Sequence, residues 1–343
     1  MLRCSKVFST LLNYSLALIC LSTVLSIIWK IIHGDGNFVL NEKNTKAQRI
    51  MLPEAIDFMA TWNSTRRSIF FIETSKTGTL NARQACAIES TARNNPNSNI
   101  FLILLDPPEN PILMKQEMVQ SVFRFHKNIQ VLTTTTDEFL KNSPVENLKD
   151  LMWESKFATA HTSDVTRVLT ALRFGGIYLD LDFIIQRSLE ELPLNWVTIQ
   201  DKEFCASGAF GLEKGSRIAR EMLEYLSKSY STVDYTKNGP NSFTRMLERE
   251  CGVEYAKVPT DGRCRDLVII PPEGFHAVPW NNWTKFYIPE AAPEVMKTVN
   301  QSFGVHFWNS LSQRALVQVG SDQAYSRLAR EHCPRSYWNC DIF

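Results

Sequence analysis

Acidic residues are missing from the first 30 positions of this 343-residue chain, where Arg3, Lys6 and Lys30 are the only charged side chains. Elsewhere neither sign dominates. Of 37 Lys and Arg against 36 Asp and Glu, those three basic residues leave 34 basic and 36 acidic for the remainder, a formal charge of −2. The body therefore offers no bulk attraction to polyanions, which excludes a strongly basic nucleic-acid binder. Glycine is scarce at 14 and proline stands at 15, with no repeat, heptad or low-complexity tract, so collagen-like and disordered chains are excluded as well. Two-plus-two cysteine and histidine spacing of the zinc-finger kind is also lacking, since His332 and Cys333 are the only close His/Cys neighbours. Nor does the end of the chain, Asn339 to Phe343, carry an endoplasmic-reticulum retrieval signal.

What the start does contain is an apolar run from Val7 to Trp29, interrupted only by Asn13, Tyr14 and small hydroxyls. As a helix this run would be about 34 Å long, enough to cross the hydrocarbon core of a bilayer. Arg3 and Lys6 precede it, which places residues 1–6 in the cytosol and the remainder on the far side. We read 7–30 as an uncleaved signal-anchor of a single-pass type II membrane protein. A cleaved signal peptide is the competing reading, disfavoured by the length of the run and by the lack of a small-x-small site before Trp29. Residues 31–66, polar and mixed, suit a stem, and 67–343 form one lumenal domain.

Six cysteines lie beyond the anchor, and their spacing alone leaves 15 pairings open. Cys251 and Cys264 are the best candidates for a disulfide, because they bracket a short loop with Gly252 and Gly262; closing it contributes about 3 kcal/mol. Asn63, Asn282 and Asn300 each open an N-glycosylation triplet, which fits a lumenal body.

Within the body, strand-like and helix-like stretches alternate. Ser68–Glu73, Ile100–Leu105, Ile129–Leu132, Ile177–Ile185, 204–212, 268–270 and 304–308 read as strands. Helical patterns cover 80–93, 146–157, 163–174, 218–229 and 241–249. This order predicts an α/β domain with a mainly parallel central sheet and ligands at the carboxyl ends of its strands.

The most informative segment is 163–185. Ser163 is placed to cap a helix whose Val165, Val168, Leu169 and Leu172 share a face, with Asp164 and Arg167 three apart. Gly175 and Gly176 then allow a positive-φ reversal into a strand in which Asp180 and Asp182 alternate with apolar residues. Adjacent carboxylates repel unless a cation lies between them or one takes a proton, and a hard divalent ion that also grips a diphosphate resolves this. An Asp-x-Asp triplet arises about once by chance in a chain of this length, so the surrounding Asp and Arg carry the reading.

Ser163-Asp164-Val165-Thr166-Arg167 and Phe174-Gly175-Gly176-Ile177-Tyr178-Leu179-Asp180-Leu181-Asp182 together resemble the α1,4-glycosyltransferase family, which includes the lactosylceramide 4-α-galactosyltransferases and α1,4-N-acetylglucosaminyltransferases. Further matching stretches are Phe71 to Ser75, Ser207 to Phe210, Asn238-Gly239-Pro240, Pro271 to Phe275, Pro279-Trp280 and Val305 to Asn309. Cys86, Cys251, Cys264 and Cys333 also sit where that family has cysteines. Cys205-Ala206-Ser207 departs from it, the family more often having Asn before Gly208.

The resemblance implies a GT-A-type nucleotide-sugar-binding fold in a Golgi membrane enzyme using a UDP-sugar and a divalent cation, with Mn2+ the natural choice. Transfer would retain the anomeric configuration. It assigns Asp180 to the ribose and metal shell, Asp182 and His306 to the metal, and Asp164, Arg167, Thr74 and Tyr178 to the donor. Asn238, Gly239, Pro240 and Trp280 fall to the acceptor. The implied activity is α1,4 transfer of galactose or N-acetylgalactosamine to the terminal sugar of a glycosphingolipid. Two alternatives are N-acetylglucosamine transfer to glycoprotein glycans and a catalytically silent, membrane-anchored glycan-binding protein. No positioned carboxylate nucleophile stands out, so front-face attack assisted by the leaving phosphate is the working mechanism.

Overall fold

The computed structural model describes residues 52–340 and Phe343. The expected anchor lies outside them, and among the described residues no helix is long and apolar enough to cross a membrane.

Strands β1 (Ser68–Glu73), β2 (Asn99–Leu105), β3 (Ile129–Thr134), β4 (Gly176–Leu179), β6 (Trp196–Ile199), β7 (Cys205–Leu212), β8 (Gly262–Cys264) and β9 (Leu267–Ile270) form one sheet in the order β3-β2-β1-β4-β7-β6-β9-β8. A separate pair joins β5 (Phe183–Ile185) to β10 (Gly304–His306). The first four strands of the large sheet are mutually parallel; β7 runs against both β4 and β6. Each parallel step is bridged by helix, as between β1 and β2 by Ala82–Asn94. That helix begins at a reciprocal capping box, Asn81 with Gln84, which satisfies two otherwise orphaned N–H groups.

Apolar runs rather than alternation mark β1 and β2 because both faces are covered. Phe70 and Ile72 enter one core, Ile69 and Phe71 the other. A third core gathers Val295, Phe307, Tyr325 and Tyr337 around the Cys86–Cys333 disulfide. That bridge spans 247 residues of sequence, and the chain-entropy model credits such a loop with about 5 kcal/mol. The expected Cys251–Cys264 bridge is formed. Beside the long bridge, the buried Glu89 carboxylate accepts from the Arg335 and Ser336 N–H groups at 2.9 and 2.7 Å and from Ser336 Oγ at 2.8 Å. This caps the helix Pro334–Tyr337 and docks the C-terminal segment.

Several local expectations are corrected. The helix runs Ala158–Phe174, so Ser163 lies inside it and caps nothing. Segment 146–157 is a 3-10 turn, Glu146–Leu148, followed by a helix only from Lys149 to Glu154. The strand read as 177–185 is broken at Asp180 to Asp182, because the chain leaves β7 at Leu179 and resumes pairing with β10 at Phe183. The strand read as 304–308 stops at His306, with Trp308 in the left-handed region at φ 54°. Within the segment assigned to the stem, Ala55–Thr61 forms a helix that buries Ala55 and Met59 in the first core, so packing begins before Ser68.

Candidate active site

The reversal at Gly175-Gly176 sets the site. Their φ values are 68° and 96°, and a Cβ on Gly176 would stand 2.4 Å from the Ser68 carbonyl. Glycine at both positions lets the helix Ala158–Phe174 fold back against β4, bringing Asp164 and Arg167 beside the carboxylates.

Asp180 follows β4 directly, and its N–H donates to the Gly208 carbonyl at 2.8 Å. Two residues on, Asp182 is fastened to a different segment. Its carbonyl accepts from the Phe307 N–H at 3.0 Å, and its Oδ2 accepts from the Asn309 N–H at 2.8 Å. Pairing of His306 opposite Phe183 puts His306 Nε2 3.1 Å from that same Oδ2. The imidazole stacks on Phe183, ring centroids 4.4 Å apart, which fixes its plane. One donor atom from each of Asp180, Asp182 and His306 lies within 4.8 Å of the others, and all three side chains are partly accessible.

Arg167 is the hub of the inner shell. Its Nη1 donates to the Ser207 carbonyl at 2.8 Å and Ser207 Oγ at 3.0 Å, and its Nη2 donates to Ser163 Oγ at 2.8 Å. Nη2 also lies 3.2 Å from Asp180 Oδ1 and 3.4 Å from Asp164 Oδ1. Tyr178 Oη donates to Asp180 Oδ1 at 2.7 Å. Burial is the main influence on all these acids. It raises the Asp180 carboxyl, which Arg167 opposes and the neighbouring Asp182 reinforces. It also acts on Asp182, but His306 and the Asn309 N–H outweigh it and hold that carboxyl below the usual carboxylate range. Repulsion within the pair is thus resolved unequally, with Asp182 the more readily ionised. Asp164 is pushed up to about 7 by burial against the pull of Arg167.

Two glycines permit this crowding. A Cβ on Gly208 would meet Asp180 Oδ2 at 2.7 Å, and one on Gly239 would meet Asp164 Oδ1 at 2.4 Å. At the carboxyl end of β1, a pocket of about 190 Å³ is lined by Thr74, Ser75, Lys76, Trp153, Thr159 and Thr162. Thr162 belongs to the helix that carries Asp164 and Arg167. A larger cavity of about 500 Å³ opens between the helices Arg217–Ser229 and Pro240–Cys251 and contains none of these residues.

The chain matches the family model described as "Alpha 1,4-glycosyltransferase conserved region" over residues 211–340. It matches "Glycosyltransferase sugar-binding region containing DXD motif" over 81–201, a span that includes Asp180 and Asp182. Both matches mark the chain as a glycosyltransferase. Rat lactosylceramide 4-alpha-galactosyltransferase is 27% identical over 79% of this chain and 75% of its own length. Human alpha-1,4-N-acetylglucosaminyltransferase is 27% identical over 80% of this chain and 81% of its own. Among solved structures, the PaToxG glycosyltransferase aligns at 22% identity and a TM-score of 0.42, covering 57% of this chain and 75% of that one.

In this glycosyltransferase the structure brings together Asp164, Arg167, Tyr178, Asp180, Asp182 and His306. Thr74 lines the neighbouring pocket, although its Oγ1 donates inward to the Thr159 carbonyl at 3.0 Å. Asn238 is buried, and its amide is spent on the Ser231 N–H and carbonyl at 3.0 and 2.8 Å, so its contribution is the shape of its loop. Gly239 backs Asp164, Pro240 opens a helix, and Trp280 is half exposed. Asn63 and Asn300 are exposed, Asn282 half-buried. Sequence reasoning missed Ser163 and Ser207 as partners of Arg167 and Asn309 as a partner of Asp182. Ser207 carried a signal, being the residue at which the chain departs from the usual Asn of the family it resembles.

Proposed function

We propose that this glycosyltransferase moves galactose or N-acetylgalactosamine from a UDP-sugar to the terminal sugar of a glycosphingolipid, in α1,4 linkage with retention, and with a divalent cation, Mn2+, at Asp180, Asp182 and His306. The observation that carries this reading is the gathering of those three donors within 4.8 Å. Two carboxylate oxygens and an imidazole nitrogen are a donor set that manganese accepts readily. The low-lying Asp182 offers an ionised carboxylate, and the ring stacked on Phe183 holds Nε2 beside it, so that a cation would take the place of the proton they share. When bound, the cation supplies charge to offset the departing diphosphate.

The chain's own residues do the positioning. The pocket with Thr74 and Lys76 seats the nucleoside, while Tyr178 and Arg167 orient Asp180. Asp164 and Arg167 face the donor-sugar hydroxyls. Trp280, half exposed, offers an acceptor platform. The acceptor oxygen bonds to the anomeric carbon on the face from which the phosphate leaves, and its proton passes to a leaving-phosphate oxygen. Charge placement in a partly dry site supplies much of the acceleration.

The kinship with lactosylceramide 4-alpha-galactosyltransferases favours a glycolipid acceptor. The similar identity to an alpha-1,4-N-acetylglucosaminyltransferase keeps UDP-N-acetylglucosamine and glycoprotein glycans as a second reading. Two disulfides support an oxidising lumen, in line with a Golgi type II enzyme anchored through 7–30. The test is transfer by the full chain in detergent from a panel of UDP-sugars, with and without manganese, to lactosylceramide and to glycoprotein glycans. Absence of turnover on every acceptor, together with no metal-dependent UDP binding, would leave only the silent glycan-binding protein.

A further inference from the structure

His306 meets Asp182 through Nε2, while its other ring nitrogen, Nδ1, is buried and has no hydrogen-bond partner among the described residues. Three rings hold the imidazole. Phe183 stacks on it, Trp308 packs with its centroid 4.2 Å away, and His276 stands nearly perpendicular to it at 5.3 Å. Trp308 is itself pinned, its Nε1–H donating to the Val278 carbonyl at 3.0 Å.

His276 is the costly member of this cluster. Its backbone is fixed, with the N–H donating to the Pro272 carbonyl at 2.6 Å, and its ring packs against Phe183 and Trp308 with centroids 5.8 and 5.5 Å away. The residue is only 2% exposed, yet neither Nδ1 nor Nε2 has a partner among the described residues. Each unmet polar group costs about 1–3 kcal/mol, which an apolar side chain of similar size would not. A local cost of this kind is expected where a residue serves function. The need lies next door. A histidine that gives Nε2 to a cation carries its proton on Nδ1, and an acceptor for that N–H ordinarily fixes the tautomer and the plane of the ring. Of the three rings around His306, His276 alone can accept, since phenylalanine has no nitrogen and the indole nitrogen only donates. Centroids 5.3 Å apart bring the two ring edges within reach of an ordinary hydrogen bond of about 3 Å once their nitrogens face each other. A half-turn of His276 about Cβ–Cγ exchanges its nitrogens for carbons without changing the space the ring fills.

We propose that His276 is a positioning residue for the metal site: one of its nitrogens accepts the Nδ1–H of His306 and so fixes the tautomer in which Nε2 faces the cation. The assignment rests on the metal reading above and adds to it the residue that holds one ligand in place. Mn2+ titration of the full chain in detergent with UDP present, followed by the paramagnetic resonance of free Mn2+, tests it in wild type, His276→Leu, His276→Asn and His276→Gln. Thermal unfolding of each without metal is measured alongside. His276→Leu is expected to weaken Mn2+ binding about tenfold, with a metal-free Tm no lower than that of wild type, because it removes a buried polar group that lacks a partner. Asparagine brings an acceptor near the place of Nδ1 and glutamine near that of Nε2, so one of the two amides recovers most of the lost affinity and thereby identifies the nitrogen engaged. His276→Phe serves in place of His276→Leu should that variant not fold. If wild type takes up no Mn2+, the metal reading fails and takes this assignment with it. With Mn2+ bound by wild type, equal affinity in His276→Leu, a loss that neither amide recovers, or a loss accompanied by a lower metal-free Tm overturns the His276 assignment alone.

Discussion

His306 Nε2 lies 3.1 Å from Asp182 Oδ2, joining a residue late in the chain to the second carboxylate of the Asp-x-Asp turn. The contact exists because β10 pairs with β5, and the same pairing delivers the Asn309 N–H to Asp182. Asp182 is thus fixed from two sides by backbone that belongs to neither β4 nor the helix before it.

Asp182→Ala should abolish transfer, by at least about a thousandfold, while leaving the fold intact. His306→Ala should remove metal-dependent UDP binding with a smaller loss of transfer. Circular dichroism and UDP titration with and without Mn2+ check both. Full activity in Asp182→Ala would remove the metal assignment.

Arg167→Lys should behave unlike a conservative change. The guanidinium reaches Ser163, Ser207 and Asp180 at once, and an ammonium cannot reproduce that fork. Leaving buried partners unmet costs about 2–4 kcal/mol, read as a lower Tm, and transfer should fall about a hundredfold because Asp180 loses its orientation.

Gly239→Ala tests steric support rather than charge. The backbone there is at φ −99° and ψ −96°, outside the regions that alanine adopts freely, so the added methyl acts through backbone strain as well as through its clash with Asp164. Donor KM should rise with kcat less affected, and Tm should fall. Wild-type donor KM would place Asp164 outside the donor contacts.

Glu89→Ala should destabilise without touching the carboxylate site. It strips the Arg335 and Ser336 N–H groups of their acceptor, at a cost of about 2–3 kcal/mol, with the C-terminal helix exchanging amide hydrogens faster than the sheet.

Acid sensitivity should trace to His126. Burial, helped by Arg335 and Arg93, lowers its pKa from 6.5 to about 4. The unfolded chain takes up the proton first as pH falls, so stability is present above about 6.5 and drains away toward about 4. In His126→Gln the slope of Tm against pH across that window should flatten.

Much of the sheet was legible because its strands are short apolar runs bounded by turns. The Cys251–Cys264 bridge was legible because it is local. The break at Asp180 to Asp182 was not, since Leu181 and Phe183 continue the apolar alternation while the hydrogen-bonding partner changes from β7 to β10. Ser163 looked like a cap by residue type. Five preceding helical residues and the demand of Arg167 for an acceptor gave it a different role.

By itself the sequence determined the segregation of charge, the α/β class, the Asp-x-Asp segment and the glycosyltransferase resemblance, because each is written in local pattern or contiguous motif. Tertiary structure decided the rest. The Cys86–Cys333 bridge, the meeting of His306 with Asp182 and the fork of Arg167 on Ser207 all join residues far apart in the chain. Such contacts depend on which strand pairs with which, and long-range pairing is settled by burial of both sheet faces, not by spacing along the chain.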